Sequence, residues 1–421
     1  MALNWTKALE GLRNIGILLY GLAAALAYLP IFDSPFYTPY ELSNYARFTG
    51  ISISLSDITF VFALVLTLFT TIILDLTKVL LTKQQTLILV AILFPLGVSI
   101  GNNPELATLA RVLRLVIYTT LPLLLLNNKK DLRMFALGYI SLTVPQLAAV
   151  LGQRLDGAQM IGLTLNPNLV ASYGLTSLII WIYAWFPANY RTKSIKVIIL
   201  QILPVILASF LIVLPVSRGS IIAVLSLLIV LVVIYRGGLT RFTLILQVAG
   251  PALVVVIIVI TTGPRLDHLI RSHSFEEATL IGKVDSFTSG RVSSTQRHID
   301  KITEDGVWTK GYGAGRYTEA TGKAPPNNLY LTTIGELGVI LAILYLSAFI
   351  ALVILRPQLI LPLAILGLVS YLTHSAEGTL ITYTLIGVAI ASLTYITETS
   401  STIVKHIHKE TKVPTSQEST I

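Results

Sequence analysis

Two arginines stand where a permanent positive charge could meet an anionic group such as a phosphate. Arg218 lies in the turn VSRG between two long apolar runs, with no carboxylate near it in the sequence. Arg291 follows Gly290 at the predicted start of a short helix, whose N-terminal amides would also favour an anion. Arginine suits phosphate because its planar guanidinium donates two parallel hydrogen bonds. The competing interpretations are an interface anchor for Arg218 and a solvated surface charge for Arg291.

Candidate groups for hydroxyl orientation and proton transfer lie further along the chain. Asn327 and Asn328, in KAPPNNLYLTTIGELG, could orient a hydroxyl or cap the helix that follows. An amide accepts no proton at neutral pH, so Asn327 cannot be a general base. His374, in the turn THSAEGT, could supply one, or could be an interfacial polar residue. Glu336 and Glu377 are the remaining carboxylate candidates.

A further basic pair and a glycine-rich turn complete the set. Arg111 and Arg114 are three residues apart, so they share a helical face, where they could line an anionic cavity or reach the lipid headgroups. GYGAG at 311–315 resembles a phosphate loop but lacks the preceding strand and following helix, so we interpret it as a turn. The chain has no cysteine and its predicted external loop has no DxD sequence, so we expect no metal ion and no cofactor.

The composition indicates that these residues are positioned by membrane helices. Hydrophobic residues make up 54% of the 421 residues and charged residues only 12%, whereas about 25% are charged in soluble domains. Apolar runs of about 20 residues recur without strand-like alternation, which predicts an all-α polytopic membrane protein. We expect the first span to be retained and not cleaved as a signal peptide.

We predict about twelve spans. They lie at about 15–32, 57–76, 84–101, 106–126, 134–152, 168–187, 197–216, 219–235, 242–261, 333–355, 358–373 and 380–397. Lys and Arg concentrate in the short segments on one side, which places both termini in the cytoplasm. Basic residues in these segments reflect orientation in the membrane, so the net charge of +9 does not indicate nucleic-acid binding.

The long segment between the ninth and tenth spans is predicted to be external, because long translocated segments escape the charge rule. The chain then divides into transmembrane helices at 1–262, an external loop at 263–331 that forms part of the functional site, transmembrane helices at 332–399 and a polar, disordered tail at 400–421. Within the loop we predict a helix at about 290–303, with Val292, Ile299 and Ile302 on one face and an end at Gly306.

The order and sidedness of these motifs resemble the O-antigen ligase and O-antigen polymerase family of membrane glycosyltransferases. The arginine of SGR, the following GYGAGRY and NNLYLTTIGELG leading into a span carry the resemblance. NPNLVASYGL at 166–175 and the external SRGS turn fit the same pattern. The resemblance covers about 166–380, and the first five spans match only in being apolar. The chain departs from the family at Asn327, where a pattern like HNLYL would have a histidine.

The resemblance implies a reaction at the outer face of the bacterial inner membrane. In that family a glycan attached to undecaprenyl diphosphate is transferred to an acceptor sugar, which is lipid A core for ligases and another repeat unit for polymerases. By this resemblance, Arg218 and Arg291 bind the donor diphosphate. Asn327 stands at the position of the family's histidine, and Asn328 matches the asparagine that follows it. The missing histidine favours the polymerase over the ligase. Surrounding lipids are the remaining expected partner.

Other protein classes fit parts of the pattern. A twelve-helix secondary transporter or polysaccharide exporter would also have both termini inside, but transporters usually show internal repeats and interrupted helices around a midplane site. We see no internal repeat, and the polar motifs gather at one face. A cell-wall polymerase of the shape and elongation type would share the lipid diphosphate donor, but its motifs are not recognised. A scaffold would leave the long external loop unexplained.

Overall fold

The structure is a computed structural model that describes residues 2–26, 55–74, 81–102, 106–155, 163, 167–185, 195–215, 291–314, 316–322, 329–357, 359–361 and 376–393. All regular structure within these ranges is helical. The helices are α1 (Ala2–Leu26), α2 (Leu55–Ile73), α3 (Lys83–Asn102), α4 (Leu106–Leu125), α5 (Lys129–Ile140), α6 (Thr143–Leu155), α7 (Pro167–Trp185), α8 (Ile195–Val213), α9 (Arg291–Glu304), α10 (Tyr317–Thr321), α11 (Leu329–Leu337), α12 (Val339–Leu355) and α13 (Ala376–Ala391).

Apolar composition makes this a membrane protein. Three helical stretches are long and apolar enough to cross a bilayer, namely Trp5–Leu26, Lys83–Asn102 and Lys129–Gln153. Shorter apolar helices accompany them, namely Ile58–Ile73, Leu115–Leu125, Val170–Trp185, Ile202–Val213 and Val339–Leu355. Ile58, Phe62 and Phe69 of α2 are exposed on the outside of the bundle, which suits contact with lipid chains.

Most predicted spans that fall on described residues agree with the helices to within a few residues. The first helix begins earlier than predicted, at Ala2. The predicted spans at 219–235 and 242–261 lie outside the described residues, and the one at 358–373 is described only at 359–361. The total of twelve spans and the sidedness of the termini therefore remain predictions.

Two predicted spans are interrupted, which the apolar pattern does not reveal. The span at 134–152 divides into α5 and α6 at Ser141 and Leu142. Pro145 has no N–H to donate to the carbonyl of Ser141, so one helical hydrogen bond is missing at this point. The span at 333–355 divides into α11 and α12 at Gly338, whose φ of 79° is left-handed.

Close approaches between helices hold the bundle together. Gly21 packs on the backbone of Phe135 and Gly138 on the carbonyl of Leu18, so α1 and α5 touch along their main chains. Gly174 of α7 likewise lies against α8 at Ala208, Leu211 and Ile212. Small residues permit such contacts, which increase dispersion attraction between helices in lipid.

The two ends of α3 define the two ends of the bundle. Near its start, Gln85 Nε2 donates to the carbonyl of Ile390 in α13 at 2.9 Å. Near its other end, Ser99 Oγ accepts from the N–H of Ala314 at 2.7 Å. We call these the basal end and the loop end. Gly387 of α13 packs on the carbonyl of Thr119, so the C-terminal part of α4 approaches the basal end.

Arginine side chains fasten the basal end. Arg13 donates to both carboxylate oxygens of Asp131 at 2.8 Å and to the carbonyl of Leu125 at 3.0 Å. Arg356 donates to Ser392 Oγ at 2.9 Å and to the Ser392 carbonyl at 2.6 Å. Arg133 donates to the carbonyl of Ala184 at 3.2 Å, and its guanidinium lies 5.0 Å from the centre of the Trp185 ring. These guanidiniums therefore hold helices together at this end.

Candidate functional site

A small folded unit lies at the loop end, and we call residues 291–314 and 316–322 the loop subdomain. Its apolar cluster contains Ile302, Tyr312 and Tyr317 together with Leu331 of α11. Ile299 packs against this cluster, and Gly306 follows α9 with a φ of 64°. The predicted loop helix, its apolar face at Ile299 and Ile302 and its glycine stop are therefore confirmed.

The GYGAG segment is a docking turn. The N–H of Tyr312 donates to the carbonyl of Gly335 at 2.8 Å, and the N–H of Gly313 donates to the carbonyl of Glu336 at 2.9 Å. Gly311 has a φ of 68° and lies so close to Glu336 that a Cβ would collide with its carbonyl. Two of the amides that a phosphate loop would offer are thus used to bind α11, and the interpretation of this segment as a turn is confirmed.

The interruption at Gly338 is filled by the loop subdomain. The N–H of Val339 donates to the carbonyl of Trp308 at 2.7 Å. The carbonyls of Gly335 and Glu336, which the broken helix leaves free, accept from the docking turn. The subdomain and the α11–α12 junction therefore complete each other's backbone hydrogen bonds, which fixes their relative position.

A buried histidine braces α9 against α10. His298 Nδ1 lies 2.6 Å from the hydroxyl of Tyr317, and the two rings meet edge to face. Burial, followed by the charge of Asp305, raises the pKa of Tyr317 to about 12. Sequence reasoning missed His298, although its spacing of four residues from Ile302 places it on the apolar face of α9.

A second network lies at the end of α9. Tyr312 donates to Asp305 Oδ2 at 2.7 Å, and Lys301 Nζ lies 2.7 Å from Asp305 Oδ1. Burial, then the hydrogen bond to Asp305, raises the pKa of Tyr312 above its ordinary value. The hydrogen bond to Asp305 also raises the pKa of Lys301. Together these contacts hold the docking turn on the end of α9.

Four of the seven predicted site residues fall outside the described residues. Those outside are Arg218, Asn327, Asn328 and His374. The termini nearest to them in sequence are the end of α8, the start of α11 and the start of α13. The last turns of α8 pack on Gly174 in the first half of α7, and α7 reaches the basal end only at its other end, at Ala184. The start of α13 is opposite to the end that binds Gln85 at the basal end, and α11 binds the docking turn. All three termini therefore lie toward the loop end.

The other candidates are described through their backbone. Arg291 is the first residue of α9, as predicted, and Glu377 is the second residue of α13. Arg111 and Arg114 lie in the first half of α4, which approaches the loop end. The carbonyl of Glu336 binds Gly313. Whether the side chains of Arg111, Arg114, Arg218 and Arg291 converge stays a prediction.

Within the described ranges there is no group of three or more His, Asp or Glu side chains that could hold a metal ion. The described part of the loop end consists of the loop subdomain, whose helix α9 begins with an arginine, and the ends of several apolar helices. Such a site could bind an anionic headgroup at the membrane boundary.

The comparison with known proteins agrees with the motif resemblance. A family model described as O-antigen ligase matches residues 203–346, which run from α8 through the loop subdomain into α12. No curated protein matches the chain. The matched segment contains the docking turn, the start of α9 and the interruption at Gly338. Over these residues the chain is similar to the O-antigen ligase family.

Proposed function

We propose that the protein transfers a glycan from an undecaprenyl-diphosphate carrier to a sugar hydroxyl at the outer face of the bacterial inner membrane, as a polymerase in preference to a ligase. The observation that carries this proposal is the loop subdomain, which lies inside the family match and is docked at the same end as the termini flanking Arg218, Asn327 and His374. A lipid-linked donor must present its diphosphate at such a boundary.

The donor diphosphate is bound by Arg218 and Arg291. The start of α9 at Arg291 supports this role, because the free amides of a helix N-terminus add positive potential to the guanidinium. Arg111 and Arg114 share one face of α4 and supply further charge to the same site. Two or more guanidiniums can neutralise a diphosphate without a metal ion.

The reaction is a displacement at the anomeric carbon of the donor. The acceptor oxygen forms the new bond to this carbon while the bond to the diphosphate oxygen breaks, and undecaprenyl diphosphate leaves with the bonding electrons. Negative charge grows on the departing oxygen, so fixed cations aimed at it stabilise the transition state more than the ground state. Asn327 and Asn328 orient the acceptor hydroxyl, and His374 accepts its proton.

The docked subdomain supports this chemistry by fixing the position of Arg291. Its backbone bonds to Gly335, Glu336 and Val339 and its bond to Ser99 tie α9 to three membrane helices. Charges that are already in place need no reorganisation as the reaction proceeds, which is the main source of electrostatic catalysis.

A transporter or exporter is the second candidate, and the interrupted spans favour it. Transporters use broken helices around their substrate sites, and α5 and α6 are separated within one apolar span. The interruption at Gly338, in contrast, is occupied by the backbone of the loop subdomain.

The two candidates are separated by a reaction with defined components. Purified protein is mixed with a synthetic undecaprenyl-diphosphate oligosaccharide, and products are analysed by mass spectrometry. Chain extension is expected from a polymerase, whereas extension of added lipid A core alone would make the protein a ligase. Uptake of a fluorescent glycan into sealed vesicles without any product would replace the proposal by transport.

The role of His374 has its own test. His374→Ala should lower kcat and remove the acidic limb of the pH profile, because the base is lost while donor binding remains. A variant with wild-type rates across the pH range would exclude His374 as the base.

A further inference from the structure

The interruption between α5 and α6 is lined by polar groups from three helices, α5, α6 and α7. The hydroxyl of Tyr173 in α7 donates to the carbonyl of Tyr139 at 2.9 Å, and it lies 3.3 Å from Thr143 Oγ1. Both Tyr173 and Thr143 are buried. These bonds join three helices inside an apolar span and bring polar groups into its interior.

The chain after α6 turns back toward this interruption. The N–H of Leu163 donates to Gln146 Oε1 at 3.0 Å, and Leu163 packs against the main hydrophobic core. α6 continues nine residues beyond Gln146 to Leu155, which corresponds to a rise of about 13 Å. Leu163 therefore lies beside the first turn of α6, about 13 Å along the helix axis from its end at Leu155.

This hydrogen bond identifies the two ends of the Gln146 carboxamide. Leu163 contributes an N–H donor, so the atom facing it must be the oxygen Oε1, and the other end is the NH₂ group. Gln146 is 0% exposed, and its Nε2 has no hydrogen-bond partner within the described part of the chain. Buried polar groups are nearly always paired, so this donor is expected to meet an acceptor in the working state.

Gln146 lies in the outer half of its predicted span at 134–152. Seventeen residues separate it from Lys129 at the basal end, a rise of about 25 Å across a hydrocarbon core of about 30 Å. Tyr173 precedes Gly174, which packs on the last turns of α8. Gln146 is thus near the level at which α8 ends at Val213, shortly before Arg218 in the sequence.

We propose that Gln146 is a substrate-contacting residue whose NH₂ group donates to a neutral oxygen of the first sugar of the lipid-linked donor. The inference rests on the proposed function and adds a sugar contact to it. A carboxamide is uncharged, so it suits a sugar hydroxyl, ring oxygen or acetamido carbonyl, whereas the diphosphate is bound by arginine. The oxygen of Gln146 keeps its bond to Leu163, so one side chain joins the returning segment to the sugar.

Two substitutions separate this role from a purely structural one. Gln146→Glu retains an acceptor for the N–H of Leu163 but loses the NH₂ donor, whereas Gln146→Met loses both. Tyr173→Phe is the matched control, because it removes the neighbouring bonds to Thr143 and Tyr139 and leaves Gln146 intact. Thermal denaturation in detergent and size-exclusion profiles identify variants that remain folded.

The binding measurement compares two kinds of probe on each folded variant. One is undecaprenyl diphosphate, and the other is the tightest-binding of its glucose, galactose and N-acetylglucosamine derivatives. The readout is the ratio of the two affinities, which cancels any effect on the shared diphosphate. The wild type should prefer the sugar-bearing probe, both Gln146 variants should lose about tenfold of this preference, and Tyr173→Phe should keep it.

Other results of this binding measurement would contradict the sugar contact. Equal affinity of the wild type for both probes would overturn the sugar contact, and so would a Gln146→Glu variant with the wild-type ratio, which would make Gln146 a support for Leu163 only. A wild type that binds neither probe would overturn the proposed function itself and this inference with it.

Discussion

The two ends of the helix bundle are held together by different interactions. At the basal end, Arg13 is bound by Asp131 and Arg356 by Ser392, so guanidiniums are part of the scaffold. At the loop end, the loop subdomain is attached through backbone amides and the hydroxyl of Ser99.

On our proposal, arginine has two roles in this chain. A buried arginine that is already bound to a carboxylate has little capacity left for a ligand. The described docking bonds run through backbone amides and the hydroxyl of Ser99, and on our proposal Arg291 is used to bind the donor. We therefore expect arginine substitutions to damage stability at the basal end and activity at the loop end.

Removing the two arginines proposed to bind the donor tests the expected loss of activity. Arg218→Ala and Arg291→Ala should each reduce product formation at least about a hundredfold, because a fixed charge at the departing diphosphate is lost. Protein level and the melting temperature in detergent should stay near wild type. Arg218→Lys should rescue poorly, since a point charge cannot reproduce the guanidinium fork. Wild-type activity in either alanine variant would remove that residue from the donor site.

Breaking the basal ion pair should have the reverse effect. Arg13→Ala leaves Asp131 buried without its cation, which costs about 3–5 kcal/mol of stability. The double variant Arg13→Met with Asp131→Leu removes both charges and should recover much of this loss. Thermal unfolding in detergent measures the change, and turnover per folded molecule should be unaffected. A stable Arg13→Ala variant with low turnover would contradict the assignment of Arg13 to the scaffold.

Gly338→Ala should disturb the docking of the loop subdomain. Gly338 has a φ of 79°, and a Cβ there would collide with the carbonyl of Thr309. Gly306→Ala is the control, because Gly306 also has a positive φ, 64°, but no atom lies within 4 Å of its Cβ. The backbone at Gly338, with φ 79° and ψ 163°, is in a region almost restricted to glycine, so strain adds to the collision there. Limited proteolysis of 291–322 should accelerate, and activity should fall, more in Gly338→Ala than in Gly306→Ala. Equal effects of the two substitutions would mean that the collision at Gly338 does not matter.

Sequence patterns predicted the parts of this fold that depend on local chemistry. The spans followed from apolar runs, and α9 followed from the spacing of Ile299 and Ile302 with Gly306 after them. The interruptions did not follow, because the partners that stabilise them are distant in sequence: Trp308 and Tyr312 for the junction at Gly338, and Tyr173 for the junction at Ser141.

The candidate site was predicted to a smaller extent. Arg291 was correctly placed at the start of a helix, because a glycine and a polar, amphipathic segment mark that start. His298 and Gln146 were missed, since a single polar residue on an apolar face gives no sign of its partner. Only the fold brings His298 to Tyr317, and Gln146 to Leu163.

The smallest expected effect concerns the hydroxyl of Tyr317. Its pKa in the folded protein is about 12, above the ordinary value of about 10 for an unfolded chain. The neutral form is therefore favoured by folding, and its contribution is complete below about pH 10 and is lost as the pH rises to about 12. Tyr312, with its pKa also raised, adds to the same loss. Tyr317→Phe should reduce the alkaline loosening of the loop subdomain without abolishing it.

The fluorescence of Trp308 can report this loosening once the other tryptophans are replaced. Trp308 lies in the subdomain, where its indole donates to Thr303 Oγ1 at 3.1 Å and its carbonyl accepts from Val339. Trp5, Trp181 and Trp185 would be changed to phenylalanine in both the reference and the Tyr317→Phe protein. Because the basal end is held by guanidiniums, which stay charged over this range, its ion pair should persist while the loop end loosens. Identical alkaline transitions in both proteins would show that Tyr317 does not set the stability of the loop end.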